Sequence, residues 1–141
     1  MLGTQEEYRP GSLESYMNLR QQEYFRNLLL QRRENLQNNC RESLQRIRTN
    51  DQHGGDLIDQ SVKDRNKIMD FLSRKRQEQM LQQINAALRR IEEGNYGYCL
   101  VTGEEIGIQR LLAYPVATLS VEAQEQLESR QRLVSSTPLD G

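Results

Sequence analysis

Glycine and proline are absent from two long stretches of the chain, residues 16–49 and 57–93, and this absence constrains the fold more than any other feature. Both residues interrupt helices, so each stretch can run as one uninterrupted helix. Apolar residues recur in both stretches, largely at the steps of three, four and seven that place side chains on one face of a helix. They are Phe25, Leu29, Leu36, Cys40, Leu44 and Ile47 in the first stretch, and Ile58, Val62, Ile68, Met69, Leu72, Met80, Ile84, Ala87, Leu88 and Ile91 in the second. The sequence therefore predicts two helices, each with one narrow apolar stripe.

A polar run that contains Gly54 and Gly55 separates the two stretches and predicts a turn. The two stripes then face each other in an antiparallel, intramolecular coiled-coil hairpin with its tip at residues 50–61. A fold-back between the two glycines pairs residues whose numbers add to about 109. The five apolar pairs predicted in this way are Phe25–Ile84, Leu29–Met80, Leu36–Leu72, Cys40–Met69 and Ile47–Val62.

The remainder of the chain predicts a small appendage to this hairpin. Residues 1–15 are polar and predict a mobile N-terminal arm, and residues 134–141 predict a polar tail. Residues 94–133 predict a globular head that ends in a helix from Ser120 to about Leu133. Only 35% of the residues are apolar, which is too few for one compact core. The fold class is mainly α, and so small a head is expected to need a staple such as a metal ion.

Charge and cysteine content exclude several classes of protein. Nineteen basic and 20 acidic residues give a net charge of -1, which argues against a protein whose affinity rests on neutralising many phosphates. We also expect no sequence-specific DNA binding. No apolar stretch is long enough to cross a membrane, and the first residues lack the features of a secretory signal, so we expect a cytoplasmic protein. Cys40, Cys99 and the single His53 make neither a disulfide framework nor an ordinary four-ligand zinc site.

Two segments of the predicted head carry a specific resemblance. Residues 90–99 are RIEEGNYGYC, and residues 103–111 are GEEIGIQRL. Together they resemble the DksA/TraR family of bacterial transcription factors, in which two Cys-x2-Cys pairs form a zinc ribbon. The resemblance places the four ligand positions at Cys99, Thr102, Ser120 and Ala123. Because three thiolates are missing, it implies the zinc-independent branch of that family, with a metal-free head and a role when zinc is scarce.

The resemblance also assigns a role to the predicted tip. The family carries two aspartates three residues apart, followed by a small residue, and these positions are Asp56, Asp59 and Ser61 here. Without the resemblance, either aspartate is explained as the N-cap of the second helix. With it, the tip is expected to enter the secondary channel of RNA polymerase and alter the stability of promoter complexes. The resemblance thus implies a monomeric regulator of ribosomal-RNA-type promoters in the stringent response.

A third family property concerns guanosine tetraphosphate, which the family binds together with polymerase. The resemblance places the contact region at Gln83, Arg110, Tyr114 and Gln124. Polyphosphates are usually held by arginine and lysine, and only Arg110 is cationic. We therefore expect a weakened or differently built response to this nucleotide as co-effector.

Two other functions remain open on the sequence alone. A transcript-cleavage factor of the GreA type also carries an acidic coiled-coil tip, which helps to hold a second Mg²⁺ ion. A plain coiled-coil interaction protein would need the helices but not the two aspartates. The favoured hypothesis is a regulator that is not an enzyme.

Overall fold

The computed structural model describes residues 8–52 and 59–136 and is mainly helical, which confirms the predicted fold class. Its helices are α1 (Leu19–Gln52), α2 (Gln60–Glu93), α3 (Ile108–Ala113) and α4 (Val121–Ser136). The described residues form two compact units. Residues 8–26 and 89–136 make up the head unit, and residues 27–52 and 59–88 make up the coil unit. None of the helices in these residues is both long enough and apolar enough to cross a membrane.

In the coil unit, α1 and α2 run antiparallel, as the sequence predicted. The Cys40 thiol donates a hydrogen bond to Oε1 of Gln77 at 3.0 Å. About two helical turns further from the tip, the Arg33 guanidinium donates to Oδ1 of Asn85 at 3.1 Å. Residue numbers therefore rise on one helix as they fall on the other, which is the signature of an antiparallel hairpin.

The register of this hairpin differs from the predicted one. The residue numbers of the two bonded pairs add to 117 and 118, whereas the predicted pairs add to about 109. Leu36 and Leu81 line one groove of the coil at this register. The predicted pairs Cys40–Met69 and Leu36–Leu72 are therefore wrong, and the fold-back at Gly54–Gly55 lies outside the described residues.

The reason for the error is the chemistry of the seam, the positions on each helix that face the other helix. Leu29, Ile84 and Ala87 fill the seam with buried apolar side chains. Toward the turn, the half-buried positions of α2 are instead polar: Lys63, Asp70, Ser73 and Gln77. The apolar residues that the sequence assigned to the seam of this part of α2 are exposed by 40% or more, namely Val62, Ile68, Met69, Leu72 and Met80. Matching apolar residues to one another therefore gave the wrong alignment.

The head unit has a denser core than its size suggested. Phe25, Leu111 and Pro115 are fully buried, and the ring of Phe25 packs against the ring of Tyr96 with centroids 5.6 Å apart. The Tyr96 hydroxyl donates to the carbonyl of Pro115 at 2.7 Å. Gly94 ends α2 in the left-handed region, with φ of 79°, because the chain must reverse there and glycine does so without a Cβ clash.

The beginning and end of the described chain differ from the sequence prediction. Residues 8–15 were predicted as part of a mobile arm, but Pro10 is buried and the Gly11 carbonyl accepts a hydrogen bond from Gln21 Nε2 at 3.3 Å. The Arg20 guanidinium stacks 3.9 Å over the Tyr8 ring. At the other end, α4 continues to Ser136, so that residues 134–136 are helical instead of belonging to a tail.

Candidate functional site

The predicted tip contains one aspartate whose surroundings the structure describes. The Asp59 carbonyl accepts hydrogen bonds from the backbone N–H groups of Val62 at 3.0 Å and Lys63 at 3.2 Å, so Asp59 is the N-cap of α2. Its side chain completes the cap, because Oδ1 accepts from the Ser61 N–H at 3.5 Å. This geometry is the helix-capping role that the sequence allowed. Asp56, the other predicted tip aspartate, lies outside the described residues.

Ser61 gives this cap a second contact. Its hydroxyl donates to Oδ2 of Asp59 at 2.8 Å, so both carboxylate oxygens are held by the same residue. These bonds from the Ser61 hydroxyl and N–H, together with the Gln60 N–H, lower the pKa of Asp59. Asp59 is nevertheless exposed to solvent. The start of α2 thus presents an ionised carboxylate whose orientation is fixed, and a nearby cation or a polar group of a partner can reach it.

The four positions expected from a zinc ribbon lie in the head unit. Cys99 sits in a tight turn, in which its carbonyl accepts from the Gly103 N–H at 2.9 Å and its N–H donates to the Glu104 carbonyl at 2.7 Å. Ser120 is the N-cap of α4, because its hydroxyl accepts from the Ala123 N–H at 3.2 Å. Cys99, Ser120 and Ala123 are buried, whereas Thr102 is exposed.

Hydrogen bonds at Cys99 bring three of these positions together. Burial by itself raises the pKa of the thiol, but the Thr102 hydroxyl and the backbone N–H groups of Ser120, Thr102 and Val101 donate to the sulfur. Their combined effect lowers the pKa of Cys99 from 9.0 to about 6. Donors that point at a thiolate stabilise its negative charge, and in a zinc ribbon that charge is stabilised by the metal ion.

The donor set at this place does not fit zinc. Structural zinc takes four ligands, typically thiolates and imidazoles. Here one thiol is joined by two hydroxyls and the methyl group of Ala123. Across residues 8–52 and 59–136, no group of three or more histidine, cysteine, aspartate or glutamate side chains could hold a metal ion.

The predicted nucleotide-contact residues fall in both units. Gln83 is exposed in the coil unit, whereas Arg110, Tyr114 and Gln124 belong to the head unit. The Arg110 Nε already donates to the Leu119 carbonyl at 3.0 Å. Gln124 donates to the Glu128 carboxylate at 3.0 Å, which places a negative charge beside it. Both contacts disfavour strong binding of a polyphosphate by the three residues of the head unit.

Sequence reasoning missed a set of contacts that ties the N-terminal segment to the head turns. The Tyr16 hydroxyl donates to the Gly97 carbonyl at 2.5 Å and accepts from the Gly107 N–H at 3.0 Å. Gln21 is fully buried, and its Oε1 accepts from the Met17 N–H at 2.8 Å. A tyrosine and a glutamine beside a helix start carry no distinctive pattern, so only the folded arrangement identifies them.

Comparison with protein families finds two matches that together span most of the chain. Residues 21–91 match the family described as "DnaK suppressor protein DksA, N-terminal domain". Residues 94–129 match the "Prokaryotic dksA/traR C4-type zinc finger". The second match coincides with the turns that hold Cys99 and Ser120, although three of the four cysteines of such a finger are replaced here.

Individual proteins give the same result. An RNA polymerase-binding transcription factor DksA of Caulobacter vibrioides is 42% identical over 127 residues, covering 90% of this chain and 89% of the relative. The protein of the same name from Escherichia coli K12 is 28% identical, covering 88% of this chain and 81% of the relative. Among solved structures, transcription factor DksA2 of Pseudomonas aeruginosa superposes with a TM-score of 0.77 at 36% identity, covering 87% of this chain and 93% of that one.

Proposed function

This chain belongs to the DksA family, and from that membership we propose that it regulates transcription by binding RNA polymerase in the bacterial cytoplasm. The match covers both units and extends over about nine-tenths of the chain in the Caulobacter relative. That relative and its Escherichia coli counterpart are named as RNA polymerase-binding transcription factors. The chain is accordingly a regulator and not an enzyme.

The single observation that carries the finer proposal is the Asp59 carboxylate. It is exposed and is fixed by Ser61 at the start of α2. In the coil unit, two helices side by side are about 20 Å across, which suits entry into a narrow opening. We propose that the hairpin enters the secondary channel of polymerase, where this negative charge acts on the catalytic region and changes the lifetime of promoter complexes.

The head unit supports the further proposal that the protein works without zinc. Ser120 caps α4, and the Cys99 sulfur is held by hydrogen bonds from Thr102 and neighbouring backbone groups. These contacts connect the two turns that a metal ion joins in a C4 finger. The regulator would therefore remain folded under zinc limitation, whereas the heads of relatives that depend on zinc would unfold.

Guanosine tetraphosphate is proposed as a weak co-effector. Arg110 is the one cationic residue among the four expected contacts, and it is partly engaged by the Leu119 carbonyl. We expect the purified protein to alter transcription from a ribosomal-RNA promoter by itself, with a small additional effect of the nucleotide.

The experiment that tests the tip compares Asp59→Asn with the wild type in two assays. One assay measures the affinity for RNA polymerase, and the other measures the lifetime of complexes at a ribosomal-RNA promoter. Asparagine preserves the cap but removes the charge, so affinity should stay within about twofold while the effect on lifetime is lost. Asp64→Asn is the matched control, because Asp64 is also exposed and also accepts a side-chain hydrogen bond, from Gln60 at 3.1 Å.

Three results would count against this proposal. If Asp59→Asn alters promoter-complex lifetimes as much as the wild type does, the charge is not needed and the chain is a plain coiled-coil interaction protein. A loss of polymerase binding in that variant would make Asp59 an anchor instead of an effector. Rapid shortening of the RNA in a backtracked elongation complex would identify a transcript-cleavage factor of the GreA type.

A further inference from the structure

Among the exposed apolar side chains of α2, three large ones lie close together on the surface of the helix. Ile68, Phe71 and Leu72 are exposed by 59%, 65% and 45%. The other phenylalanine of the chain, Phe25, is fully buried in the head unit. The three residues have the spacing i, i+3 and i+4, so they form one continuous surface on the helix, here termed the outer stripe.

The outer stripe faces away from α1. Gln77 marks the face that contacts α1, because its carbonyl accepts the hydrogen bond of Cys40. Ile68 precedes Gln77 by nine residues, which at about 100° per residue places it about 180° around the helix. Phe71 and Leu72 lie on either side of Ile68, each about 120–140° from Gln77. The stripe is therefore not covered within the coil unit.

In this segment of α2 the apolar side chains face solvent and polar side chains occupy the seam, which is the inverse of what folding favours. The half-buried positions at the same level are Asp70, Ser73 and Gln77. Burying an isoleucine, leucine or phenylalanine contributes roughly 1.5–3 kcal/mol. A segment whose sequence served only the hairpin would place its apolar residues in the seam, as Ile84 and Ala87 are placed further along. The inverted arrangement is instead that of a helix whose apolar face meets another molecule.

The charges that border the stripe indicate the chemistry of that molecule. Exposed cations lie along its flanks and at its C-terminal end, at Arg65, Lys67, Lys75 and Arg76. An exposed carboxylate, Asp64, lies at its N-terminal end. The rim is thus predominantly positive, and it complements a partner surface that carries aspartate and glutamate around an apolar groove.

We propose that the outer stripe docks in an apolar groove of RNA polymerase whose border is acidic. This proposal rests on the proposed function and adds to it the face of the hairpin that makes the contact. The spacing matches the way in which amphipathic helices insert side chains into grooves. A second copy of this chain is disfavoured as the occupant, because a symmetric contact would bring the cationic rims together.

A triple variant, Ile68→Gln with Phe71→Gln and Leu72→Gln, tests the proposal. Glutamine keeps helix propensity but removes the apolar surface. We expect affinity for RNA polymerase to fall by at least about tenfold, while helix content and the urea midpoint of unfolding stay unchanged. The control is Leu127→Gln with Val134→Gln, because both residues are exposed apolar side chains of α4. This control should bind as the wild type does.

A charge-reversed variant, Lys67→Glu with Lys75→Glu, tests the acidic border separately. We expect weaker binding at low salt and a smaller loss of affinity on adding salt than the wild type shows. Equal salt dependence of the two proteins would overturn the acidic part of the proposal.

Other outcomes separate this proposal from the proposed function. If the wild type binds polymerase and the triple variant binds equally well, the stripe is not the contact face. If the triple variant unfolds at lower urea, the three residues stabilise the hairpin and the inversion is wrong. If sedimentation finds a dimer that the triple variant abolishes, a second copy is the occupant. Only the failure of the wild type itself to bind polymerase would remove the proposed function.

Discussion

The head unit and the coil unit differ in how many apolar residues they bury. Of the fourteen buried apolar residues among the described positions, three belong to the coil unit: Leu29, Ile84 and Ala87. The remainder are in the head unit. Both units also expose large apolar side chains, among them Leu100 and Val101 in the head unit and Ile68, Phe71 and Leu72 in the coil unit. Burial of apolar residues therefore stabilises mainly the head unit, whereas the outer stripe of the coil unit is proposed to contact another molecule.

The largest expected effect on stability distinguishes two leucines, one in each unit. Leu111 is fully buried in the head, whereas Leu72 is 45% exposed in the coil. Leu111→Ala should lower the free energy of unfolding by about 2–5 kcal/mol, because it leaves a cavity. Leu72→Ala should lower it by less than about 0.5 kcal/mol. Urea unfolding followed by circular dichroism measures both, and equal losses would abolish the contrast between the units.

Two glycines of the head sharpen the comparison within that unit. Gly97 has φ of 90°, and an added Cβ would lie 3.0 Å from Met17 Cγ and from the Tyr16 hydroxyl oxygen. Gly103 has φ of 74° with nothing within 4 Å of such a Cβ. Gly103→Ala should cost roughly 1–2 kcal/mol for the backbone conformation alone. Gly97→Ala should cost roughly 2–4 kcal/mol, because it adds overpacking. Similar losses would mean that the Tyr16–Met17 segment does not pack tightly on the head.

A further test within the head unit concerns the charge at Cys99. Its pKa is about 6 in the folded protein, below the ordinary 9.0. A lowered pKa stabilises the folded state fully above pH 9, and this contribution is lost as the pH falls through 6. The free energy of unfolding should therefore rise between pH 6 and 9, and Cys99→Ser should remove this rise.

The thiolate can also be observed directly. In a Cys40→Ser background, the ultraviolet absorbance of the thiolate should titrate with a midpoint near pH 6. Thr102→Val removes the hydroxyl that donates to the sulfur and should raise the midpoint. A midpoint near 9 with Thr102 present would show that hydrogen bonds do not hold the charge that a metal holds in a C4 finger.

Much of the hairpin could be predicted from the sequence, because a helix without glycine or proline is specified locally. The register could not, because Asp70, Ser73 and Gln77 occupy seam positions that the apolar pattern assigned elsewhere. The clustering of Cys99, Thr102 and Ser120 could be predicted, because their spacing matches the ligand positions of a zinc ribbon. The bond between Ser61 and Asp59 depends on a side-chain rotamer, and the docking of Tyr16 depends on tertiary packing. Neither is encoded in a short pattern.

The most direct measurement of the central claim is the lifetime of a ribosomal-RNA promoter complex in the presence of a strong zinc chelator. The polymerase should be mixed with the wild type, Asp59→Asn or Asp64→Asn in parallel. We predict that the wild type and Asp64→Asn change the lifetime equally with and without chelator, while Asp59→Asn binds polymerase and changes nothing. Loss of the wild-type effect when the chelator is added, or full activity of Asp59→Asn, would contradict the account.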